Sequence, residues 1–291
     1  MDNELILWDR LEVIKTTINK YGEDNFYISF SGGKDSTVVH NLVDMALPNN
    51  KIPRVFNDTG IEHNAIREFV NEIKDDRYVI IHPNKNVRET LEKVGYPFKS
   101  KEHSNYVDMW QRGNRSSPSL KRYLTKESFG CPEILKYQFT DECKLKISDM
   151  CCNEFKKKPF KKYERESNKH IKITGMMRDE GGQRTRIDCI LIKNNKATAF
   201  NPLAKVSHEW EKWFIEEYKI KLCELYKEPY NFERTGCKGC PFSLSLSQQL
   251  ETMEKYLPNE RKQCEIIWKP VYDEYRRIGY RLKNNEQTKL F

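Results

Sequence analysis

Two short stretches of the chain carry residue types able to do chemistry. The first is SGGKDS, Ser31 to Ser36, directly after the apolar run FYISF. Gly32 and Gly33 let the backbone turn tightly and bring its N–H groups close to an anion. Ser31 and Ser36 add hydroxyl donors. Lys34 adds a charge that can contact phosphate or neutralise the mouth of the site. Asp35, beside bound phosphates, suits Mg²⁺ or an orienting acceptor. The stretch lacks the first glycine of a Walker A loop, so it is a different strand-to-helix anion turn. The plainer alternative is a Gly-Gly turn with a capping Asp or Ser.

The second is a set of two cysteine pairs, Cys151-Cys152 and Cys237-Lys-Gly-Cys240. Cys-x-x-Cys in a glycine-bearing turn lets both thiolates face one metal, and a distant pair can complete four ligands. Adjacent cysteines splay apart, which a four-iron four-sulfur cluster accommodates better than one tetrahedral zinc ion. A 4Fe-4S cluster is therefore favoured, with zinc as the alternative and both ahead of free buried thiols. Of the other five cysteines, Cys189 and Cys223 lie in apolar segments and read as core. Cys143, among polar residues with a lysine next to it, is either a thiol of lowered pKa or a solvated idle one.

Further polar candidates flank these stretches. Asp58 stands at the C-terminal end of the strand predicted at 53–56, where an open α/β sheet binds ligands. It can accept from a ribose hydroxyl or an adenine amine, or simply cap a helix from Glu62 onward. Arg178, Arg184 and Arg186 offer bidentate donors to phosphate or sulfate oxygens, or salt bridges to Asp179, Glu180 and Asp188.

The elements that must position these residues follow from periodicity. Leu5, Trp8, Leu11 (with Leu7), Ile14 and Ile18 recur at helical spacing through Tyr21. Strands are predicted at residues 25–30, 53–56, 78–82, 171–174 and 187–192, and helices at 36–46, 62–73 and 87–94. Alternation of this kind implies an α/β fold, a doubly wound and mostly parallel sheet. Residues 98–170 form a basic, cysteine-bearing excursion, too long for a plain loop and expected to contain helices. The chain turns helical again from Ser207, breaks at residues 229–242 and closes in helices to about Tyr280. The expected division is a nucleotide-binding domain over residues 1–205 and a helical region with Cys-x-x-Cys over 206–291.

Composition bounds the class. Lys and Arg number 51 against 43 Asp and Glu, a formal charge of +8, compatible with a polyanionic partner. No apolar run approaches the roughly 20 residues of a membrane span. The start, MDNELILWDR, is acidic and lacks a basic-then-apolar leader, so a cytoplasmic protein is expected, in which cysteines serve metals or redox chemistry rather than disulfides.

SGGKDS resembles the PP-loop of the ATP pyrophosphatases, enzymes that cleave ATP between the α and β phosphates. Within them the chain resembles the phosphoadenosine phosphosulfate reductase family. FNDTGIE, with Asp58, Thr59 and Gly60, is similar to that family's Asp-Thr-Gly turn near the adenosine. ITGMMRDEGGQRTRI, with Gly175, Arg178 and Arg186, resembles its Gly-x-Arg segment, and NPLAKVSHEWEKWF resembles the stretch that opens its later helices. The resemblance implies an adenine nucleotide, ATP or a relative, held by Ser31, Gly32, Gly33, Lys34, Asp35, Ser36, Asp58, Thr59, Gly60, Gly175 and Arg186. Lys34, Asp35 and Arg178 are the implied catalytic residues. The cysteine pattern is similar to the cluster ligands of assimilatory adenylylsulfate reductases. One departure stands out: the family's reductases carry a catalytic Glu-Cys-Gly-x-His stretch near the end, and no cysteine follows Cys264 here.

Three functions are therefore weighed. The first is ATP-dependent adenylylation of an acceptor for sulfur transfer to nucleic acid, by DNA phosphorothioation-like or tRNA thiolation-like chemistry, with a cysteine desulfurase as a candidate partner. EFKKKPFKKYERESNKHIK, Glu154 to Lys172, then reads either as a contact for a phosphate backbone or as a solvated face. The second is a sulfonucleotide reductase using another thiol, Cys143 or Cys264, with thioredoxin as partner. The third is a non-catalytic, nucleotide-gated iron–sulfur component of a DNA-associated complex. The tail Gln287-Thr-Lys-Leu290-Phe291 resembles the peptide by which replication and repair proteins bind the sliding clamp. Its alternatives are chance or packing of Phe291 on the domain.

Overall fold

In the computed structural model, residues 2–126, 128 and 130–282 are described. The chain forms two compact units, each built from two stretches: the chain up to Pro83 with Pro159–Gly236, and Asn84–Lys158 with the chain from Cys237 onward. This differs from the linear division expected near residue 205. The excursion joins the C-terminal helices because their aromatic side chains pack on it. The rings of Phe98 and Tyr275 lie 4.4 Å apart, and Lys99 N–H donates to the Tyr275 hydroxyl at 2.8 Å.

The first unit carries the sheet. Helix α1, Asn3–Tyr21, is capped by Asp2 and followed by β1, Phe26–Phe30. Then come α2, Lys34–Ala46, β2, Arg54–Asn57, α3, Asn64–Ile73, and β3, Tyr78–Ile81. The sheet order is β3-β2-β1-β4-β6-β5, where β4 is Ile171–Ile173, β5 Ile190–Lys193 and β6 Lys196–Phe200. β1 pairs in parallel with β2 on one side and β4 on the other, and β5 alone runs antiparallel, against β6. The expected doubly wound, mostly parallel architecture is the one observed. β6 was not anticipated. Its signal was the Asn194-Asn195 pair, both at positive φ (49° and 61°), a two-residue turn that Asn tolerates and that closes a β-hairpin.

Aromatic and β-branched side chains fill this unit. Tyr27, Val55 and Tyr163 form one buried cluster, with Val79, Ile81 and Phe160 packed against it. Tyr163 and Phe160 belong to α7, Lys158–Ser167. In α1 the buried stripe runs through Leu7, Ile14 and Ile18, while Leu5 and Trp8, expected on it, are exposed. Arg10 occupies the buried face instead, its guanidinium donating to the Pro202 carbonyl at 3.1 Å. α8, His208–Glu217, completes the unit and buries Trp210 and Phe214.

The second unit is helical: α4, Val87–Val94, α5, Lys101–Gln111, α6, Pro118–Thr125, then α9, Leu246–Tyr256, α10, Pro258–Ile267, and α11, Lys269–Arg277. The excursion thus contains helices, as its length required. Cys151-Cys152 begins a helical turn that widens to π geometry over Asn153–Lys157. No described helix is long and apolar enough to cross a membrane.

Candidate functional site

β1 is where the sheet order reverses, so its carboxyl end opens at the topological switch point, the usual ligand position in open α/β sheets. SGGKDS leaves the strand there. Gly32 sits at φ +69°, and a Cβ on it would lie 3.0 Å from Ile66 and 3.1 Å from Val70 of α3. Glycine is therefore needed both for the turn and for the packing. Gly33 is extended and precedes the first turn of α2. Local hydroxyls hold the turn. Ser36 Oγ donates to the Gly33 carbonyl at 2.9 Å and accepts from Ser31 N–H at 3.2 Å, and Thr37 Oγ1 donates to the same carbonyl at 3.0 Å.

Two N–H groups of the loop meet hydroxyl oxygens. Gly33 N–H donates to Ser31 Oγ at 3.3 Å, and Lys34 N–H donates to the Tyr226 hydroxyl at 3.1 Å. That hydroxyl also bonds Thr235 Oγ1 at 2.6 Å. Gly175, just after β4, lies against the first turn of α2, where a Cβ would come within 2.7 Å of the Asp35 carbonyl carbon and oxygen. The fold therefore brings Gly175 to Asp35 by a contact only glycine permits. Lys34 Nζ lies 3.2 Å from Oε2 of the fully buried Glu211. Burial first, and the charge of Asp35 second, push the Glu211 carboxyl up to about 7, with Lys34 opposing. Glu211, Tyr226 and Thr235 were not singled out from sequence. Glu211 lay within a quoted motif, whereas Tyr226 and Thr235 gave no signal.

Asp58, Thr59 and Arg178 have local partners. Asp58 Oδ1 accepts from Gly60 N–H at 3.0 Å and from Arg67 of α3, Nε at 3.0 Å and an Nη at 2.6 Å. It does not cap the helix as one reading expected. α3 starts later, after His63, and the Glu62 carboxylate accepts from Thr59 N–H and hydroxyl at 2.7–2.8 Å. Arg178 Nε donates to the Ile187 carbonyl at 2.7 Å, and its guanidinium lies 3.4 Å from Asp188, in line with its salt-bridge reading. Arg186 is exposed.

The four paired cysteines all belong to the second unit. Cys151 Sγ lies 4.0 Å from Cys152 Sγ, and Cys151 feels the charges of Cys152, Cys240 and Cys237. The bond from Cys151 lowers the Cys152 thiol pKa, as do Lys101 and Lys156, while the Cys151 thiol is pushed up by the same bond and by burial. Burial, then the charge of Cys237, push the Cys240 thiol up to about 12, against an N–H bond from Phe242. The Cys237–Cys240 turn is fixed from outside. Trp268 Nε1–H donates to the Lys238 carbonyl at 2.9 Å, the Tyr272 hydroxyl to the Gly239 carbonyl at 2.5 Å, and the Tyr275 hydroxyl to the Pro241 carbonyl at 3.0 Å. A Cβ on Gly239, at φ +60°, would fall 2.5 Å from the Tyr272 hydroxyl and 2.7 Å from Cys264 Sγ. Among the described residues no group of three or more His, Cys, Asp or Glu side chains closes to the distances of one metal ion. The donor set itself, four thiols in one electrostatic neighbourhood, is the soft kind that suits iron–sulfur or zinc.

The other thiols divide. Cys223 is buried as expected, whereas Cys189 is only half-buried because it precedes β5 instead of lying within it. Burial pushes the Cys143 thiol up rather than down, so it is not a thiol of lowered pKa. Cys264 is fully buried and its thiol is pushed up to about 12. The Gln287–Phe291 tail lies outside the described residues.

A mostly parallel sheet with a Gly-Gly turn at its switch point is an α/β architecture of the kind that receives ligands at that point. Residues 25–130 and 132–243 match the phosphoadenosine phosphosulfate reductase domain, and the chain belongs to that family. No curated protein matches it. Among solved structures it is similar to phosphoadenylyl-sulfate reductase from Candida auris, at 14% identity and a TM-score of 0.43 over 78% of this chain and 93% of that one. It is similar to the NH3-dependent NAD synthetase of Campylobacter jejuni, at 14% identity and a TM-score of 0.43 over 97% and 98%. It is also similar to the U34-tRNA thiolase of Methanococcus maripaludis, solved with its 4Fe-4S cluster, at 16% identity and a TM-score of 0.39 over 97% and 82%.

Proposed function

We propose that the chain is an ATP-dependent enzyme that adenylylates an acceptor oxygen, in preparation for sulfur transfer to nucleic acid. The observation that carries this reading is the loop. Gly32 stands where the backbone turns to positive φ, a Cβ on Gly175 would crowd the Asp35 backbone, and a Cβ on Gly33 would press on the Ser31 and Tyr226 hydroxyls, all at the N-terminus of α2 and the switch point of the sheet. The N–H groups of Gly33 and Lys34, bonded here to hydroxyls, are the donors a phosphate would take over. Lys34 and Asp35 then stand beside the phosphates, Asp35 as partner of Mg²⁺ or of the acceptor. Arg178 would have to leave the Ile187 carbonyl and Asp188 to join them.

In the reaction, an acceptor oxygen attacks the α-phosphorus of ATP. The bond to the β-phosphate oxygen breaks, pyrophosphate leaves with the electron pair, and the acceptor proton passes to solvent. A persulfide sulfur, of the kind a cysteine desulfurase supplies, then displaces AMP, and a thiol reductant cleaves the S–S bond that still joins the donor, leaving one sulfur on the acceptor. The chain's part is positioning and charge stabilisation at phosphorus. Cys151, Cys152, Cys237 and Cys240 would hold the iron–sulfur cluster, with zinc as the competing occupant; when bound, a cluster supplies redox or sulfide-binding chemistry.

The reductase reading gains nothing from the thiols it needs. Cys143 and Cys264 both have raised pKa values, and Cys264 is sealed from solvent. Alkylation of native protein should spare Cys264. Its rapid modification, together with sulfite release from phosphoadenosine phosphosulfate and thioredoxin, would restore that reading. The direct test is ATP binding by wild type and Gly33→Val. A Cβ at residue 33 would lie 3.1 Å from Ser31 Oγ and 3.3 Å from the Tyr226 hydroxyl, and the branches of valine reach further. Loss of ATP binding with the fold intact is expected; unchanged affinity would remove the loop as the nucleotide site.

A further inference from the structure

The second unit holds an open cavity of about 720 Å³, lined from α4, from α5 and the residues after it, and from the segment of residues 140–150. None of the loop residues or paired cysteines lines it. Its charge is lopsided: five cationic side chains face it against two carboxylates, those of Asp108 and Asp141. Both carboxylates are already paired, Asp108 with Arg112 at 2.9 Å and Asp141 with Arg115 at 3.3 Å. The ammonium groups of Lys144 and Lys146 donate to backbone carbonyls, of Asp141 and Lys93, and keep their full charge. With Lys93, three lysines stand on the rim outside these two ion pairs, with Lys146 and the Asp149 carboxylate both acting on Asp108.

The rim is held in place. Lys144 and Lys146 are two apart on a segment pinned from both sides. Tyr96 N–H donates to the Lys146 carbonyl at 2.8 Å, and Ser148 N–H donates to the Tyr96 carbonyl at 3.0 Å. From α5, Gln111 donates to the Leu145 carbonyl at 2.8 Å and accepts from Ile147 N–H at 3.1 Å. The wall beneath is aromatic. Trp110 lines the cavity, braced edge-on by Phe139 at 6.0 Å, with the Arg115 guanidinium 4.7 Å from its ring. An indole carrying a guanidinium is a flat, electron-rich and cationic platform of the kind on which bases stack.

We propose that this cavity binds a nucleotide unit of single-stranded nucleic acid, with its base on the Trp110–Arg115 platform and successive phosphates on Lys93, Lys144 and Lys146. Three lysines on two elements exceed what one monophosphate needs. The inference rests on the sulfur-transfer reading only in naming a nucleic acid as acceptor; the cavity's ligand is read without ATP.

The test uses full-length protein and a labelled mixed-sequence oligonucleotide of ~12 nucleotides at low salt, a length within the usual site size. Thymidine 5′-monophosphate is titrated in parallel, since it lacks the adenine an ATP site selects. The double variant Lys144→Glu/Lys146→Glu should weaken the strand by at least about tenfold and flatten its salt dependence. Trp110→Leu should weaken it by about tenfold. ATP affinity should stay unchanged in both, which separates this failure from a failure of the nucleotide loop. Thymidine monophosphate bound tightly and lost in the same variants would make the cavity a free-nucleotide site and overturn the strand assignment. Strand binding that survives charge reversal would overturn the cavity altogether. The lysine pair is exposed, so a folding defect in Trp110→Leu does not mask the outcome.

Discussion

The Gly-Gly loop of the first unit and the Cys-Lys-Gly-Cys turn of the second are both glycine turns, and they are held by opposite means. The loop's framework is largely its own: Ser36 and Thr37 hydroxyls close on the Gly33 carbonyl within five residues. Its N–H groups meet hydroxyls that an anion can replace. The cysteine turn has its carbonyls held by Trp268, Tyr272 and Tyr275, some thirty residues on. A turn that must receive and release a ligand keeps exchangeable donors. A turn that presents thiolates is fixed through its carbonyls and leaves N–H groups to the sulfurs, as Phe242 does for Cys240.

The sharpest way to break this comparison is to add one side chain to each. Gly175→Val drives carbon into the Asp35 backbone, which has nowhere to go, since a Cβ alone falls 2.7 Å from it. ATP affinity should fall by on the order of a hundredfold, about 3 kcal/mol of overpacking, with metal content retained. Gly239→Val should do the reverse, expelling the metal while ATP binding persists. Calorimetric titration and metal analysis of both proteins give the four readings. Loss of both functions in either variant would show that the two turns are not independent. Anaerobic Cys240→Ser should lose iron and acid-labile sulfide together; zinc as the sole metal in wild type would replace the cluster while leaving the ligands in place.

A titration sharpens the contrast between the units at smaller scale. Burial pushes His103 down to about 4, helped by the Lys99 charge and opposed by its bond to Gln138. His40 in the other unit is also pushed down to about 4 by burial and then by Arg54. Each is neutral when folded and binds a proton more readily when unfolded. Stability is therefore full above pH ~6.5, the unfolded value, and declines as pH falls from there through the folded value, by up to about 3 kcal/mol for a fully buried ring. Denaturant midpoints at pH 7.5 and pH 5 measure this. His103→Phe loses ring hydrogen bonds at both pH values, so the expected change is a shallower slope in the transition that reports the second unit. An unchanged slope would assign the acid sensitivity elsewhere.

Legibility in the sequence followed the range of the interactions. The strand-turn-helix of SGGKDS and the alternation of strands and helices are local patterns, and each was readable. The β5–β6 hairpin was readable in Asn194-Asn195 but went unread, since KATAF alternates weakly. Asp58 turned to Arg67 and Arg178 to Ile187 and Asp188, because a charged group takes the nearest partner its backbone allows, and sequence spacing does not rank partners. Glu211 beside Lys34, and Tyr226 on the Lys34 N–H, join residues more than 170 positions apart. No periodicity carries that information. The two-unit division is also a product of tertiary packing, with Tyr275 joining the C-terminal helices to residues 98 and 99.

The smallest effect tests the carbonyl clamp itself. Tyr272 is fully buried, and its hydroxyl donates to the Gly239 carbonyl. Tyr272→Phe keeps the ring and its packing and deletes only that donor, leaving a buried carbonyl without it. The expected loss is about 1–2 kcal/mol of stability in the second unit, the range for a buried acceptor deprived of its partner. Metal content at equilibrium should be retained, because the Trp268 and Tyr275 bonds remain on either side. What should change is kinetic: a loosened turn exposes its thiolates more often, so metal should pass faster to a chelator than in wild type. Equal release rates with the stability loss present would mean that the clamp supports the fold without restraining the cysteines. Faster release from Tyr272→Phe, with ATP affinity untouched, would confirm that the cysteine turn, unlike the loop, is built to stay closed.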